Sequence, residues 1–290
     1  RGTSHKVWNE WKGQLLASLY SATSRRLRSG ISGAQAIDQR IDDRKRAIRK
    51  LLGNSIAASK IDQLWEQLDQ EYFLRNGPET SAWHTLQICN TSVLDLPLVA
   101  TRHRPEIRAQ QILVVSPESD DLLSRSTGAL DSLGLSILDA RIHQTRSGLG
   151  ILVFIVHSNL EKAAVESELE HHSTEIRKFL LHPPDLYQPA ARNLPRAMKQ
   201  FNVPTTVSFS DNEELGHTTM EIVSRDRPGL LYHVSTALLE SKVRLVSAKV
   251  STVGEKAEDT FFITDRDGNP VSDPKQRKML EKLVKTYLAH

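Results

Sequence analysis

Cysteine is almost absent from this sequence, which contains only Cys89. A single cysteine excludes an internal disulfide framework and a thiolate metal cluster, because both need more than one sulfur. The sequence also has no apolar run near the roughly 20 residues that a transmembrane helix needs. Its net charge of +3 over 290 residues is small, so nothing in the composition requires nucleic acid or an anionic membrane as a partner. This composition fits a protein of the reducing cytoplasm.

Motifs for catalysis and metal binding are missing as well. There is no Gly-Ser turn followed by a close Asp-x-Asp pair that would hold magnesium, and no adjacent His-Asp pair. His171 and His172 are neighbours on a predicted helix, about 100° apart, and cannot readily share one ion. We therefore predict no catalytic residue and no metal site in this chain. Because it starts at Arg1, without an initiator Met, we expect it to be cut from a longer protein.

The first 92 residues have the periodicity of amphipathic helices. Apolar residues recur at three- and four-residue steps, which places them on one face of a helix. Gly53 and the Gly77-Pro78 pair are expected to end helices. The spacing predicts a helix that carries Trp8 and Trp11 in its core face, and further helices over about 34–52, 60–74 and 83–88.

Basic residues cluster on the second of these helices. Arg44-Lys45-Arg46 is followed by Arg49 and Lys50 in the same helix. Nucleic-acid binding is one interpretation. However, three aspartates lie in the same helix and no aromatic stacking platform accompanies the cluster. A solvated or interdomain face is therefore favoured, and no nucleic-acid partner is predicted.

Beyond Pro97 and Pro105 the pattern changes to short β-branched runs that alternate with helices. A shift of 108 positions superimposes residues 213–290 on the preceding segment, with Ser224 on Ser116 and Phe262-Ile263 on Phe154-Ile155. In the second strand of each copy, alternation predicts Leu138, Ala140 and Ile142 inward in one, and Val246, Ala248 and Val250 inward in the other. Asp139, Arg141, Ser247 and Lys249 then occupy the opposite face.

Each copy is predicted to have the order β-α-β-β-α, the split βαβ plan of ferredoxin-like folds. We therefore predict an α+β protein with a helical domain over 1–92, a first ferredoxin-like domain over 93–212 that includes a basic, proline-rich connector, and a second over 213–290. The second copy lacks a final strand of its own. Our hypothesis is that two unassigned strands, over 96–101 and 205–210, complete the two sheets and leave no long bare edge.

The turn that follows the first strand of the second copy is a candidate ligand site. Pro228 suits the first turn of a helix, and Gly229 allows a ligand to approach the backbone. The free amides near Leu230 would bind a carboxylate, and Asp226 would receive an ammonium group. Together with Arg227, this turn is suited to an amino acid. The alternative is structural, with Asp226 as a helix cap and Pro228-Gly229 as a tight turn.

The first copy departs from this pattern. Its corresponding segment is Glu118-Ser119-Asp120-Asp121, without a glycine and with more carboxylates that would repel a ligand carboxylate. We therefore expect the first copy to act as a partner surface that offers Asp139 across the interface between the copies. Ser247, at the equivalent position of the second copy, is also assigned to the candidate ligand site.

Residues 224–231, with the strands over 245–250 and 258–263, resemble the ACT domain, an amino-acid-sensing module. Trp8 and Trp11, with Tyr72-Phe73-Leu74-Arg75 and Ala82-Trp83-His84, resemble the segment that follows the catalytic domains of bacterial protein-PII uridylyltransferase/uridylyl-removing enzymes. The resemblance covers almost the whole chain. It implies tandem ACT domains that sense glutamine, with a nucleotidyltransferase and a His-Asp phosphohydrolase upstream. Magnesium is then expected only for those absent catalytic domains, and no cofactor for this chain.

The resemblance implies a regulatory function. Glutamine or a similar amino acid would bind at the turn over 226–230 and alter the control of PII uridylylation by the upstream domains, with low glutamine favouring uridylylation and high glutamine its removal. The alternative is a module without a ligand, which docks PII or dimerises the enzyme. A stand-alone enzyme is disfavoured because both catalytic motifs are missing. The partners expected are glutamine, PII and the upstream domains, with no membrane.

Overall fold

The computed structural model describes residues 33–157, 165–184, 187, 189, 204–212, 216–225, 227, 229–250, 252–253 and 256–289. It divides into two compact units, residues 1–92 and 93–290. Among the described residues, none of the helices has the length and apolar character required to cross a membrane. The helix predicted around Trp8 and Trp11 lies outside the described residues.

The described part of the first unit is helical, and a turn divides the helix predicted over 60–74. The first piece ends at Glu66, and Asp69 caps the second, because its side chain accepts a hydrogen bond from the Tyr72 amide at 2.7 Å. Pro78 does not close that helix but occupies the first turn of the next, where no amide donor is needed. The helices are α1 (Gly33–Leu52), α2 (Ala58–Glu66), α3 (Gln70–Arg75) and α4 (Pro78–Cys89).

Aromatic side chains occupy the centre of this unit. Tyr72 and Phe73 are almost completely buried and their rings meet edge to face at 5.2 Å. The Tyr72 hydroxyl lies 2.9 Å from His84 Nδ1, so this buried polar group has a partner. Two apolar residues of α1 are exposed rather than packed in this centre, Ile37 by 38% and Leu51 by 55%.

Basic residues of the α1 cluster contact other helices of the same unit. Arg44 donates hydrogen bonds to the carbonyl groups of Phe73 and Asn76. Lys45 lies over the Phe73 ring at 4.7 Å, and Arg49 pairs with Asp62. Arg44, Lys45 and Arg49 therefore contact other helices of the unit, whereas Arg46 and Lys50 are exposed, as expected for the solvated face that the sequence predicts.

Among its described residues, the second unit contains one continuous nine-stranded sheet rather than two separate sheets. Short 3-10 helices lie at Val93–Asp95 and Pro105–Ile107. The strands are β1 (Leu98–Arg104), β2 (Ala109–Pro117), β3 (Ile137–Gln144), β4 (Leu149–His157), β5 (Thr206–Asn212), β6 (His217–Arg225), β7 (Arg244–Lys249), β8 (Thr252–Val253) and β9 (Lys256–Thr264). The helices are α5 (Leu122–Ser132), α6 (Val165–Leu181), α7 (Leu230–Glu240) and α8 (Pro274–Tyr287).

The strand order is β1-β2-β4-β3-β7-β9-β6-β5, with β8 paired to β9. Both unassigned strands of the sequence therefore pair as expected, β1 with β2 and β5 with β6. They also form the two outer edges, because the halves of the sheet join at β3 and β7. In each half the edge strand precedes the β-α-β-β-α unit in the chain, which explains why the second copy needs no strand after α8.

The two copies are related by a local twofold axis. Ala140 pairs directly with Ala248 across the β3–β7 seam, and these residues are equivalent under the 108-residue shift. On the helix layer, Thr127 Oγ1 and Ser235 Oγ, also equivalent, lie 3.0 Å apart between α5 and α7. Equivalent residues meet only on a symmetry axis, so the duplication in the sequence is a twofold duplication in space.

Matching bulges shift the inward faces of β3 and β7. The pairing register changes between Ile137 and Asp139 in one strand, and between Leu245 and Ser247 in the other. An extra residue reverses the alternation, so Ile137 and Leu245 pack with the core, and the prediction that Leu138 and Val246 do so is wrong. Beyond the bulge, Ala140 and Ala248 are completely buried on the inward face, as predicted.

Candidate functional site

The predicted binding turn lies where β6 ends and α7 begins. Gly229 precedes the first residue of α7 and has a φ of +70°, a left-handed conformation that disfavours residues with a side chain. Leu230 is buried in the core, so only its backbone is available to a ligand. Asp226 and Pro228 lie outside the described residues. Their roles in receiving an ammonium group and starting the helix therefore stay predictions.

Two arginines, Arg225 and Arg227, give a positive charge to the corner of the fold where β6 ends and α7 begins. Arg225 Nη2 and Arg227 Nε are buried and have no hydrogen-bond partner within the part of the chain that the structure describes. Burial lowers the pKa of Arg227, and the neighbouring charge of Arg225 lowers it further. Both causes disfavour the charged form, so an anion placed here would relieve an unfavourable environment. The start of α7 adds backbone amides of the same polarity.

Two further residues belong to this corner: His233, one helical turn after Gly229 in α7, and Asp131 in α5. Burial lowers the pKa of His233, and Arg227 lowers it further, while Asp131 acts in the opposite direction. Asp131, near the end of α5, is 6% exposed. Asp131 Oδ2 would lie 3.4 Å from a Cβ on Gly229, so the corner contains a buried carboxylate as well as the two guanidinium groups.

The space in front of Gly229 is filled by the chain itself. A Cβ placed on Gly229 would lie 2.6 Å from Pro189 Cβ and 2.7 Å from Pro189 Cγ. Real Cβ atoms essentially never make non-bonded contacts this short, so glycine is needed here to admit the proline ring. Tyr187, two residues earlier, donates a hydrogen bond to Asp131 Oδ2 at 2.6 Å. The connector residues Tyr187 and Pro189 thus cover the corner.

Asp139 and Ser247 lie together but away from this turn. They occupy β3 and β7 on either side of the seam, and are 4% and 6% exposed. Because side chains alternate along a strand, both point to the face opposite Ala140 and Ala248, which pack with the helix layer that includes α7. The structure brings Arg227, Gly229 and Leu230 together at one place, and Asp139 and Ser247 at another.

Asp139 already has a charged neighbour. Its Oδ2 atom lies 2.9 Å from Arg141 Nε on the same strand, close enough for an ion pair but not aligned as a hydrogen bond. Lys249 is directly opposite Asp139 in the β3–β7 register. A ligand ammonium group would therefore compete with neighbouring cationic side chains at this position.

The equivalent corner of the first copy is tied to the second copy by ion pairs. Asp120 Oδ2 lies 2.7 Å from Arg266 Nη2, and Glu118 Oε1 lies 3.6 Å from Arg244 Nη2. These contacts account for the acidic residues where the second copy has Asp226-Arg227-Pro228-Gly229. They also connect the two copies, as expected for a partner surface, although the residues involved are not Asp139.

Sequence reasoning did not identify Tyr187, Pro189 or Asp131 as parts of this corner. One signal was present in the sequence: Gly128 lies inside a helical pattern, where glycine is disfavoured without a packing reason. A Cβ on Gly128 would lie 3.3 Å from Tyr187 Cδ1. Within the described residues, no group of three or more His, Cys, Asp or Glu side chains could hold a metal ion.

Two regions of the chain match known family models. Residues 36–87 match the model described as the uridylyltransferase GlnD fifth domain. Residues 206–290 match the model of an ACR9-like, ACT-like domain. The second match begins at the first residue of β5, in agreement with the pairing of that strand to β6.

Curated relatives cover nearly the whole chain. It is 36% identical over 289 residues to the bifunctional uridylyltransferase/uridylyl-removing enzyme of Methylococcus capsulatus, which is 98% of this chain and 33% of the relative. The identity is also 36% to the corresponding enzyme of Aromatoleum aromaticum, over 292 residues and with the same shares of both chains. Over nearly its whole length, this chain is therefore similar to part of the bifunctional uridylyltransferase/uridylyl-removing enzymes. It spans about a third of the length of the curated relatives it matches.

The comparison with solved structures is much weaker. The match to aspartate kinase from Synechocystis covers 63% of this chain and 27% of the kinase chain, with a TM-score of 0.35 and 13% sequence identity. The similarity to uridylyltransferase/uridylyl-removing enzymes therefore depends on the sequence matches. The predicted fold class, a helical segment followed by two ferredoxin-like ACT domains, is confirmed by the sheet topology and the ACT-like family match.

Proposed function

We propose that this chain is the C-terminal regulatory region of a bifunctional uridylyltransferase/uridylyl-removing enzyme, and that it senses glutamine for the control of PII uridylylation. The observation that supports this proposal is the asymmetry of the two corners. Both copies have the same fold around a twofold axis, yet only the second copy presents a basic turn with a glycine at a helix start. A single amino acid per chain is the expected stoichiometry.

The chemistry of the corner suits both ends of an amino acid. The amides at the start of α7 and the guanidinium groups of Arg225 and Arg227 would receive the carboxylate. Asp226, as the sequence predicts, would receive the ammonium group. Glutamine is favoured over other amino acids by the family resemblance, and its amide side chain needs further polar partners that the corner alone does not specify.

Regulation requires that the ligand bind two arrangements of this region with unequal affinity. In the proposed scheme, glutamine favours the arrangement that signals removal of the uridylyl group from PII, and its absence favours uridylylation. The catalytic steps would belong to parts of the enzyme outside this chain, because the chain contains neither catalytic motif.

Calorimetric titration of this chain with glutamine tests the site. We expect saturable binding by the natural chain and a loss of about tenfold or more in affinity for Asp226→Ala, because a hydrogen bond to a charged group contributes about 1.5–3 kcal/mol. The matched control is Glu118→Ala, which changes the equivalent residue of the first copy. Equal affinity for Asp226→Ala and the natural chain would refute the assignment of the turn.

One observation favours a second candidate function. Because Pro189 fills the space in front of Gly229, the turn is already packed without a ligand, as in a module that only docks PII or dimerises the enzyme. In that case no amino acid would raise the melting temperature of the chain, whereas capture of PII would persist. A rise in melting temperature with glutamine at saturating concentration would exclude this alternative.

A further inference from the structure

Two glycines on different helices make room for the same short piece of chain. Gly229 admits the Pro189 ring at the start of α7. Gly128, inside α5, admits aromatic rings: a Cβ there would lie 3.3 Å from Tyr187 Cδ1 and 3.3 Å from Tyr232 Cδ2. Glycine inside a helix is disfavoured, so its presence at this contact indicates a packing requirement. The seat for Tyr187 and Pro189 is therefore built into both copies.

Hydrogen bonds and ring contacts hold Tyr187 in this seat. Its hydroxyl donates to Asp131 Oδ2 at 2.6 Å, and its carbonyl accepts a hydrogen bond from the Tyr232 hydroxyl at 3.2 Å. The Tyr187 ring meets the Tyr232 ring edge to face at 4.9 Å and the Phe179 ring at 5.5 Å. Contacts from α5, α6 and α7 thus converge on one connector residue.

The same seat overlaps the place where an amino acid would bind. A ligand that reaches the backbone at Gly229 meets the Pro189 ring, which already lies within contact distance of that glycine. A ligand that extends past Gly229 towards Asp131 meets the Tyr187 hydroxyl, which already donates a hydrogen bond to Oδ2. The two occupants therefore exclude each other at two separate points.

We propose that Tyr187 and Pro189 form a strap that competes with the amino acid for the α7 corner, so that ligand binding releases the connector from the helix layer. This inference rests on the ligand site proposed above and adds the mechanism of its regulation. The apparent affinity for the ligand is the intrinsic affinity multiplied by the fraction of molecules in which the strap is released. Release of the strap supplies the second arrangement that a regulatory ligand must select.

Weakening the strap tests this competition. The double variant Tyr187→Phe/Pro189→Ala removes the hydrogen bond to Asp131 and part of the ring in front of Gly229. We expect its affinity for glutamine, measured by calorimetry on the same chain, to rise about tenfold, because the loss of a hydrogen bond to a charged group shifts the seated-to-released ratio by about that factor. Tyr72→Phe is the control, since it removes another tyrosine hydroxyl from a buried contact, in the first unit.

Hydrogen exchange on the natural chain gives a second measurement that needs no variant. Glutamine should accelerate amide exchange in the peptide that contains Tyr187 and Pro189. Unchanged or weaker glutamine binding by the double variant, or slower exchange of that peptide with glutamine, would overturn the strap while leaving the glutamine site in place. Absence of binding by both the natural chain and the variant would overturn the strap and the proposed function together.

Discussion

The corners of the two copies have the same position in the fold but opposite charge. Under the 108-residue shift, Glu118 corresponds to Asp226 and Asp121 to Gly229. The first corner binds Arg244 and Arg266 of the second copy. At the equivalent positions the first copy has Ser136 and Ser158, which have no charge to offer the second corner.

This comparison shows how a duplicated unit acquires two uses. The ion pairs satisfy the acidic corner within the protein, although pairs as exposed as these contribute only about 0–1 kcal/mol each to stability. Within the described part of the chain, Arg225 Nη2 and Arg227 Nε of the basic corner have no hydrogen-bond partner. The strap covers this corner with a tyrosine and a proline, and Tyr187 donates a hydrogen bond to Asp131. A corner with unsatisfied charge and a removable cover is suited to a ligand, whereas the ion-paired corner is suited to holding the copies together.

The largest expected effect comes from disturbing the axis that the two copies share. Ala140→Leu and Ala248→Leu each place extra volume at a completely buried seam position, and we expect each to lower the free energy of unfolding by about 2–3 kcal/mol. Because the positions are equivalent, the losses should be similar. Chemical denaturation measures both, with the exposed Ala289→Leu as control. Losses that differ by much more than about 1 kcal/mol would contradict the symmetry of the seam.

A smaller loss in the free energy of unfolding is expected when alanine replaces Gly229, and almost none when it replaces the equivalent Asp121 of the first copy. Gly229→Ala should lower the free energy of unfolding by about 2 kcal/mol, because a side chain at φ +70° is strained and its Cβ would overlap Pro189. The equivalent Asp121→Ala should change it by about 0.5 kcal/mol at most, because Asp121 has a φ of −94° and caps no amide with its side chain.

The contribution of the strap to that loss can be isolated. Adding Pro189→Gly to Gly229→Ala should recover the part of the loss that arises from overlap, but not the part that arises from the backbone. Denaturation curves of the single and double variants give this coupling directly. An additive result would mean that Pro189 does not press on position 229.

The smallest effect is a pH dependence confined to the second corner. The first copy has Arg125 where the second has His233, so only the second corner titrates near neutral pH. The folded-state pKa of His233 lies below its usual value of about 6.5, so the unfolded chain binds the proton more readily. Stability is therefore greatest above that value and falls as the pH drops from about 6.5 through the lowered pKa.

Melting temperatures between about pH 7.5 and 5.5 test this prediction. His233→Gln should flatten part of the slope. His172 also has a lowered pKa, from burial and the neighbouring His171 against the effect of Glu168, so His172→Gln should flatten another part. An unchanged slope for His233→Gln would show that this histidine titrates alike in the folded and unfolded chain.

Periodicity predicted most of the architecture because it reports which face of an element is buried. The strands predicted over 245–250 and 258–263 lie within two residues of β7 and β9, and the two unassigned strands pair as expected. The bulges at Leu138 and Val246 were missed because alternation continues smoothly through both residues in the sequence. The break at Asp69 was missed because the apolar spacing on either side still fits one helix.

The candidate site could be predicted only where it is local in sequence. Gly229 and its neighbours form a recognisable motif because a helix start requires particular residues. The strap depends on contacts between Tyr187 and residues more than 40 positions away on either side, such as Asp131 and Tyr232, and no local pattern encodes them. The separation of Asp139 and Ser247 from the turn follows from strand alternation once the position of α7 is known.

The connector joins opposite edges of the sheet. Helix α6 packs on β1, at one edge of the sheet, and β5 forms the other edge. The two copies of the second unit are therefore joined like the subunits of a dimer, but within one polypeptide. The covalent connector gives each copy a high effective concentration for the other. Three paired positions between β3 and β7 can therefore be enough to hold the two copies together. A single proteolytic cut in the connector would make the association of the copies depend on protein concentration.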